Sequence, residues 1–238
     1  MKTIIIGATS GIGRALAEKL IAQGNEVTLT GRRLALLEEI RNAYPDKPVH
    51  IAEMDMADFE NARKIMQMLA DINGGFDQII INAGVGFGKA TFDEEIKTID
   101  TNVRGFVGIA QWAYDYFKKK GGGHIVGVSS VAAVRSSPYA PEYHASKAFV
   151  SSYMEGLRLR SAKNNHHIQV TDIRPGFVDT PMTKQNKGMF WVATPEKAAA
   201  QIANAIAAKK SVVYVTKRYV LLATLMKILP EWLLAKIF

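Results

Sequence analysis

Between residues 124 and 163 stand Ser129, Ser130, Tyr143 and Lys147, residue types that together can move a proton to or from a carbonyl oxygen. A tyrosine and a lysine four positions apart share one face of a helix, and Ser130, at the end of a strand-like run, can be brought opposite them. Alone, tyrosine (pKa near 10) and lysine (about 10.4) are poor bases at neutral pH. A cationic Lys147 beside Tyr143 favours phenolate and lowers the tyrosine pKa, while Ser130 can donate to a substrate oxygen as charge develops. The chain has no cysteine, which removes disulfides, thiol nucleophiles and Cys-ligated metals and leaves redox chemistry to a cofactor. His166 and His167 have no further ligand at metal-site spacing, so no metal is expected.

A cofactor site is written near the N-terminus. GATSGIG at 7–13 follows the first apolar run and precedes a helix predicted from Arg14. Gly7, Gly11 and Gly13 permit a tight turn and close backbone approach to a pyrophosphate held at the helix N-terminus, with Thr9, Ser10 and Ile12 in the same cradle. The spacing is G-x3-G-x-G, not G-x-G-x-x-G. An NAD site places Asp or Glu at the end of the second strand. Here that place reads Thr30, Gly31, Arg32, Arg33, and a guanidinium suits a 2'-phosphate. NADP(H) is therefore expected, with NAD(H) the alternative; Arg32 is the principal contact, Arg33 either a second contact or a solvated helix start, and Arg14 a helper. Asp55, with Met56 beside it, is placed to accept from an adenine amino group. Asn82, Ala83 and Gly84 follow the fourth strand, where small residues leave room for the cofactor.

The elements that must position these residues follow from hydrophobic patterning. Apolar runs at 3–6, 26–30, 49–52, 78–81, 124–128, 168–172 and 212–215 alternate with helix-length stretches at 14–23, 34–42, 59–71, 92–119, 142–163 and 195–208. This predicts an α/β fold, a doubly wound parallel sheet of about seven strands with helices on both faces. The 238 residues suit one core: 1–215 form a dinucleotide-binding and catalytic domain with a substrate loop at 177–194, and 216–238 a tail. Three isoleucines after Met1 and Lys2 are too few for a signal peptide, so a cytoplasmic location is expected.

Taken in order, these motifs resemble the short-chain dehydrogenase/reductase family in its short, single-domain type. They are GATSGIG at 7–13, NAG at 82–84, Asn102 in TNVRG, Ser130 in VSS, YHASK at 143–147 and PGFVDT at 175–180, covering the chain from Thr3 to about Val215. The resemblance implies a Rossmann fold, a nicotinamide cofactor and a tetrad of Asn102, Ser130, Tyr143 and Lys147. It implies that Tyr143 is the acid or base, that Ser130 orients the carbonyl, that Lys147 also holds the nicotinamide ribose, and that Asn102 anchors a water relaying protons to Lys147. It further implies that Thr180 bonds the carboxamide, that Pro175 and Gly176 shape the wall beside the ring, that Val178 contributes backbone there, and that the chain forms a homo-dimer or tetramer. Ile6 and Ile81 stand where the family often has Thr and Asn, which concerns scaffolding more than chemistry.

The substrate end is less specific. Val131, Phe177, Met182, Phe190 and Trp191, with Phe87, Val134 and Met189, can form an apolar pocket for a hydrophobic or lipid-like carbonyl or alcohol. The net charge of +8 first raises the question of nucleic acid. Residues 209–238, however, hold six cations against Glu231 and no recognition module, so nucleic acid is not expected. From Tyr219 the tail reads YVLLATLMKILPEWLLAKIF. Its charges disfavour a spanning helix and predict two short helices broken at Pro230, packed on the domain, a partner subunit or a membrane surface. The leading reading is an NADP(H)-dependent oxidoreductase interconverting a ketone and a secondary alcohol. The alternative is a dinucleotide-binding regulatory or scaffold protein with little redox turnover, against which the intact tetrad argues.

Overall fold

The computed structural model describes residues 1–184, 186 and 188–237; Gln185 and Lys187 of the expected substrate loop, and Phe238, lie outside the described residues. Seven parallel strands, β1 (Lys2–Ile6), β2 (Glu26–Gly31), β3 (Val49–Glu53), β4 (Gln78–Ile81), β5 (Gly123–Val128), β6 (Ile168–Pro175) and β7 (Val212–Val215), form one sheet in the order β3-β2-β1-β4-β5-β6-β7. The helices are α1 (Gly11–Ala22), α2 (Leu34–Ala43), α3 (Phe59–Ile72), α4 (Phe92–Ile99), α5 (Phe106–Lys120), α6 (Pro141–Lys163) and α7 (Pro195–Ala207).

The short apolar runs are strands because both faces of the sheet are covered. Ile4, Ile6, Ile79, Ile81 and Ile125 enter one core with side chains of α3, α5 and α6. Their neighbours Ile5, Ile80 and Val126 enter a second core with α1, α2 and α7. The order of connection reverses between β1 and β4, and a crevice opens there at the carboxyl ends of the strands.

The expected helix at 92–119 is two helices. A capping box at Thr91 and Glu94 starts α4, and a π-helical turn, Asp100–Gly105, joins it to α5. Periodicity does not reveal that extra residue, yet the turn carries Asn102. The tail forms α8 (Tyr219–Ile228) and α9 (Glu231–Ile237), interrupted at Pro230 as the sequence predicts. Tyr219, Ala223 and Leu234 are buried against the rest of the chain. No described helix is long and apolar enough to cross a membrane.

Candidate active site

At the crevice, Gly7 takes φ +86°, and its amide and that of Ala8 both donate to the Thr30 carbonyl at 2.9 Å. A side chain at Gly7 would stand 2.6 Å from Ala83 Cα. Asn82 holds the loop from the other side, its Nδ2 donating to the Gly7 carbonyl at 2.8 Å. Gly13 packs so closely on that same carbonyl and on Asn82 that no Cβ fits. Gly13 is thus a packing residue behind the cleft, whereas Gly7, Thr9, Ser10, Gly11 and Ile12 line it. The first turn of α1 carries no acidic residue and no side-chain cap, a helix start of the kind that suits an anion.

Both arginines after β2 reach the cleft, in different ways. Arg33 crosses the glycine loop, its Nη2 donating to Thr9 Oγ1 at 2.5 Å and Ser10 Oγ at 2.9 Å. It does so from an exposed position at the N-cap of α2. Arg32 Nη1 lies 3.9 Å from Asp55 Oδ2, and Asp55 also accepts from the Ala57 amide. Arg14 is paired with Glu18 and Glu39 and does not line the cleft. Met56, Ala83, Gly84, Pro175, Gly176, Val178 and Thr180 do.

Ser130, Tyr143 and Lys147 line the other end of the same cleft. Ser130 follows β5 and caps a short 3-10 turn, Val131–Ala133; its Oγ accepts from the Ala132 amide at 3.1 Å and donates to the Pro175 carbonyl at 3.4 Å. Tyr143 and Lys147 lie in the first turns of α6, with Lys147 Nζ 5.7 Å from the tyrosine ring centroid. Nζ donates to the Val128 carbonyl at 3.1 Å. Burial lowers the Lys147 pKa to about 8, opposed by the negative charge of Asp172. Burial raises the Tyr143 pKa, and the Ser130 hydroxyl works the other way. The expected depression of the tyrosine by Lys147 is not seen here: loss of hydration outweighs the help the Ser130 hydroxyl gives the phenolate.

Asn102 is fastened from three sides. Its Oδ1 accepts from the Val85 amide at 2.8 Å, and its Nδ2 donates to the Val85 carbonyl at 2.8 Å and to Ser146 Oγ at 3.0 Å. It joins the loop after β4 to α6 and is not among the residues lining the cleft. Of the expected substrate residues, Met182 lines the cleft. Phe177, Phe190 and Trp191 gather instead round Tyr219, at ring distances of 6.5, 5.9 and 5.6 Å. Val131 stands in the turn behind Ser130 and does not line the cleft.

Three contributors escape sequence reasoning. Gly86 lies flat on the Tyr143 ring, where a Cβ would come within 2.7 Å of Cδ2. Tyr219, the first residue of α8, packs its ring on Gly176, donates to the Phe190 carbonyl at 2.6 Å and accepts from the Phe177 amide at 3.2 Å. Asp172, buried on β6, accepts from Ser129 Oγ, Ser151 Oγ and Arg174 Nε at 2.5, 2.8 and 2.7 Å. The only sequence signal for any of them is position: Asp172 stands three residues before the PG pair, and Tyr219 heads the tail.

The short chain dehydrogenase family model matches residues 2–189. An uncharacterized oxidoreductase of Mycobacterium tuberculosis is 36% identical over 194 residues, covering 78% of this chain and 76% of that protein. One from Myxococcus xanthus is 34% identical over 189 residues, covering 77% and 74%. Among solved structures, an alcohol dehydrogenase from the archaeon Thermococcus sibiricus, complexed with 5-hydroxy-NADP, superposes with a TM-score of 0.78 at 22% identity, covering 90% of this chain and 94% of that one. With the glycine loop, the tyrosine and the lysine drawn into one crevice, these likenesses place the chain in the short-chain dehydrogenase family of NAD(P)-dependent oxidoreductases.

Proposed function

We propose that this oxidoreductase is an NADP(H)-dependent reductase of hydrophobic carbonyl compounds, with Tyr143 as its acid. The observation that carries this reading is the single cleft, which has two guanidiniums at one end and Ser130, Tyr143 and Lys147 at the other. The residues fit a nicotinamide dinucleotide. A Cβ at Gly11 would stand 2.9 Å from Thr180 Cγ2 and fill the cradle above the α1 N-terminus. Arg33, spanning the hydroxyls of Thr9 and Ser10, and Arg32 beside Asp55 offer paired donors to a 2'-phosphate. Asp55 and Met56 would take the adenine side, and Thr180, Pro175, Gly176 and Val178 the nicotinamide side.

A bound dinucleotide supplies or accepts the hydride. Ser130 Oγ, held by the Ala132 amide, turns its one proton from the long 3.4 Å bond to the Pro175 carbonyl towards the substrate oxygen. Tyr143, whose pKa burial raises, holds its proton at neutral pH and gives it to that oxygen as negative charge builds. Lys147, still mostly cationic below its pKa of about 8, steadies the tyrosinate left behind and binds the nicotinamide ribose. Asn102 anchors the proton path to Lys147 through the loop that it fastens to α6. Residues 1–215 carry this chemistry, and the chain acts as a homo-dimer or tetramer.

The test is NADPH and NADH consumption, followed by absorbance, across a panel of aliphatic and aromatic ketones. NADPH is expected to be preferred at least tenfold, and Tyr143→Phe to abolish turnover while NADPH binding persists. Undiminished turnover of Tyr143→Phe would overturn the mechanism. Silence of the wild type across the panel, with tight NADPH binding, would favour the regulatory or scaffold reading.

A further inference from the structure

The tail leaves a large apolar face uncovered after Tyr219, Ala223 and Leu234 have been buried. Leu221, Leu225 and Ile228 recur at i, i+4 and i+7 and share one side of α8. Leu221 is 75% exposed and Ile228 76%, and Trp232 of α9 is 65% exposed. Beside it the substrate loop exposes Phe190 and Trp191, whose rings pack on the buried Tyr219 at the head of α8. Around it stand Lys217, Arg218, Lys227 and Lys236, all exposed. Among the described residues none of these four is paired with a carboxylate. Lys236 Nζ instead lies 5.5 Å from the Trp232 ring centroid. The tail's one acidic side chain is Glu231.

Exposed apolar side chains, a tryptophan among them, with unneutralised cations nearby in the chain, match the chemistry of an anionic lipid surface. The chains enter the acyl boundary and the cations meet the head groups. A purely apolar partner would leave those cations unused. We infer that α8, α9 and the exposed Phe190–Trp191 corner form a docking surface for anionic membranes, with the buried Tyr219 tying the substrate loop to it. An oxidoreductase seated in this way receives an apolar carbonyl from the lipid phase beside the loop.

The experiment is co-sedimentation of the full chain with phosphatidylcholine vesicles, with and without phosphatidylglycerol, at low and high salt. Binding to the anionic vesicles alone, weakened by salt and accompanied by a blue shift of tryptophan emission, is expected. The paired substitution Leu225→Glu with Ile228→Glu removes the apolar face at exposed positions. Lys217→Glu with Lys227→Glu keeps that face and reverses the charge. Each is expected to weaken vesicle binding roughly tenfold or more while the melting temperature and NADPH affinity stay at the wild-type values. Full-length protein that remains in the supernatant, or variants that bind like the wild type, would overturn the inference. So would a dimer that dissociates with Leu225→Glu and Ile228→Glu in protein that never binds vesicles, which assigns the face to a second copy. The readout needs no turnover, so its failure leaves the proposed reaction standing, and inactivity on ketones leaves the docking face standing.

Discussion

Ser129 stands next to Ser130, and Ser151 one helical turn after Lys147; Asp172 accepts a hydrogen bond from each. The carboxylate therefore fixes the end of β5 against α6, and with it the distance between the serine and the tyrosine–lysine pair. Its own charge is met by Arg174, whose Nη1 and Nη2 reach Tyr214 Oη and Ser151 Oγ. Asp172 is thus a positioning residue, and it also raises the Lys147 pKa against the effect of burial. Asp172→Asn should lower the Lys147 pKa below about 8, so the alkaline limb of the kcat profile should move to lower pH. It should also cost about 1–3 kcal/mol, since Arg174 loses its charge partner but keeps Tyr214 and Ser151 and some access to water. A profile that falls in height but keeps its alkaline midpoint would remove Asp172 from control of Lys147. Sequence shows Tyr143 and Lys147 because their spacing is local. It hides Asp172, whose partners lie up to 43 residues away.

At the scale of elements, the strands are legible because burial on both faces of a parallel sheet leaves unbroken apolar runs. Helix α6 is different: its buried side includes Ser146, Lys147, Ser151 and Ser161, so apolar periodicity cannot show which face meets the sheet. Function has displaced the pattern there, as it has in the π-helical turn at Asn102. The opposite end of the sheet carries its own polar device. His124 on β5 bonds Gln78 of β4 at 3.0 Å and Thr171 of β6 at 2.8 Å, tying three strands together. Burial lowers its pKa from 6.5 to about 4. The unfolded chain therefore binds the proton more readily than the folded one between these values, and stability rises with pH across the window. The contribution is complete above pH 6.5 and is lost as pH falls towards about 4. Chemical denaturation at a series of pH values should show this loss, and His124→Gln should flatten it. An equally steep loss in the variant would assign it to other groups.

In the whole molecule the tail and the site are one construction. Composition and charge locate the tail, and Pro230 divides it into two helices, but nothing local tells that Tyr219 will lie on Gly176. That contact needs β7 beside β6 at the sheet edge, so that the chain leaving Val215 passes over the PG pair. Once there, the tyrosine hydroxyl closes the substrate loop at both ends, through the Phe177 amide and the Phe190 carbonyl. Two substitutions separate its ring from its hydroxyl. Tyr219→Phe keeps the packing on Phe190 and Trp191 but leaves the Phe177 amide and the Phe190 carbonyl without this partner, at about 1–3 kcal/mol. Tyr219→Ala opens a cavity over Gly176 and should cost about 3–5 kcal/mol, in the range for loss of a buried aromatic ring. If the hydroxyl orders the loop, Tyr219→Phe should raise the ketone KM several-fold while the dissociation constant for NADPH stays near wild type, since Tyr219 touches the loop at Phe177 and Phe190 and neither arginine. Tyr219→Ala should raise the KM further and lower the melting temperature. Equal changes in KM and NADPH affinity for Tyr219→Phe would mean that the tail supports the fold at large and not the loop.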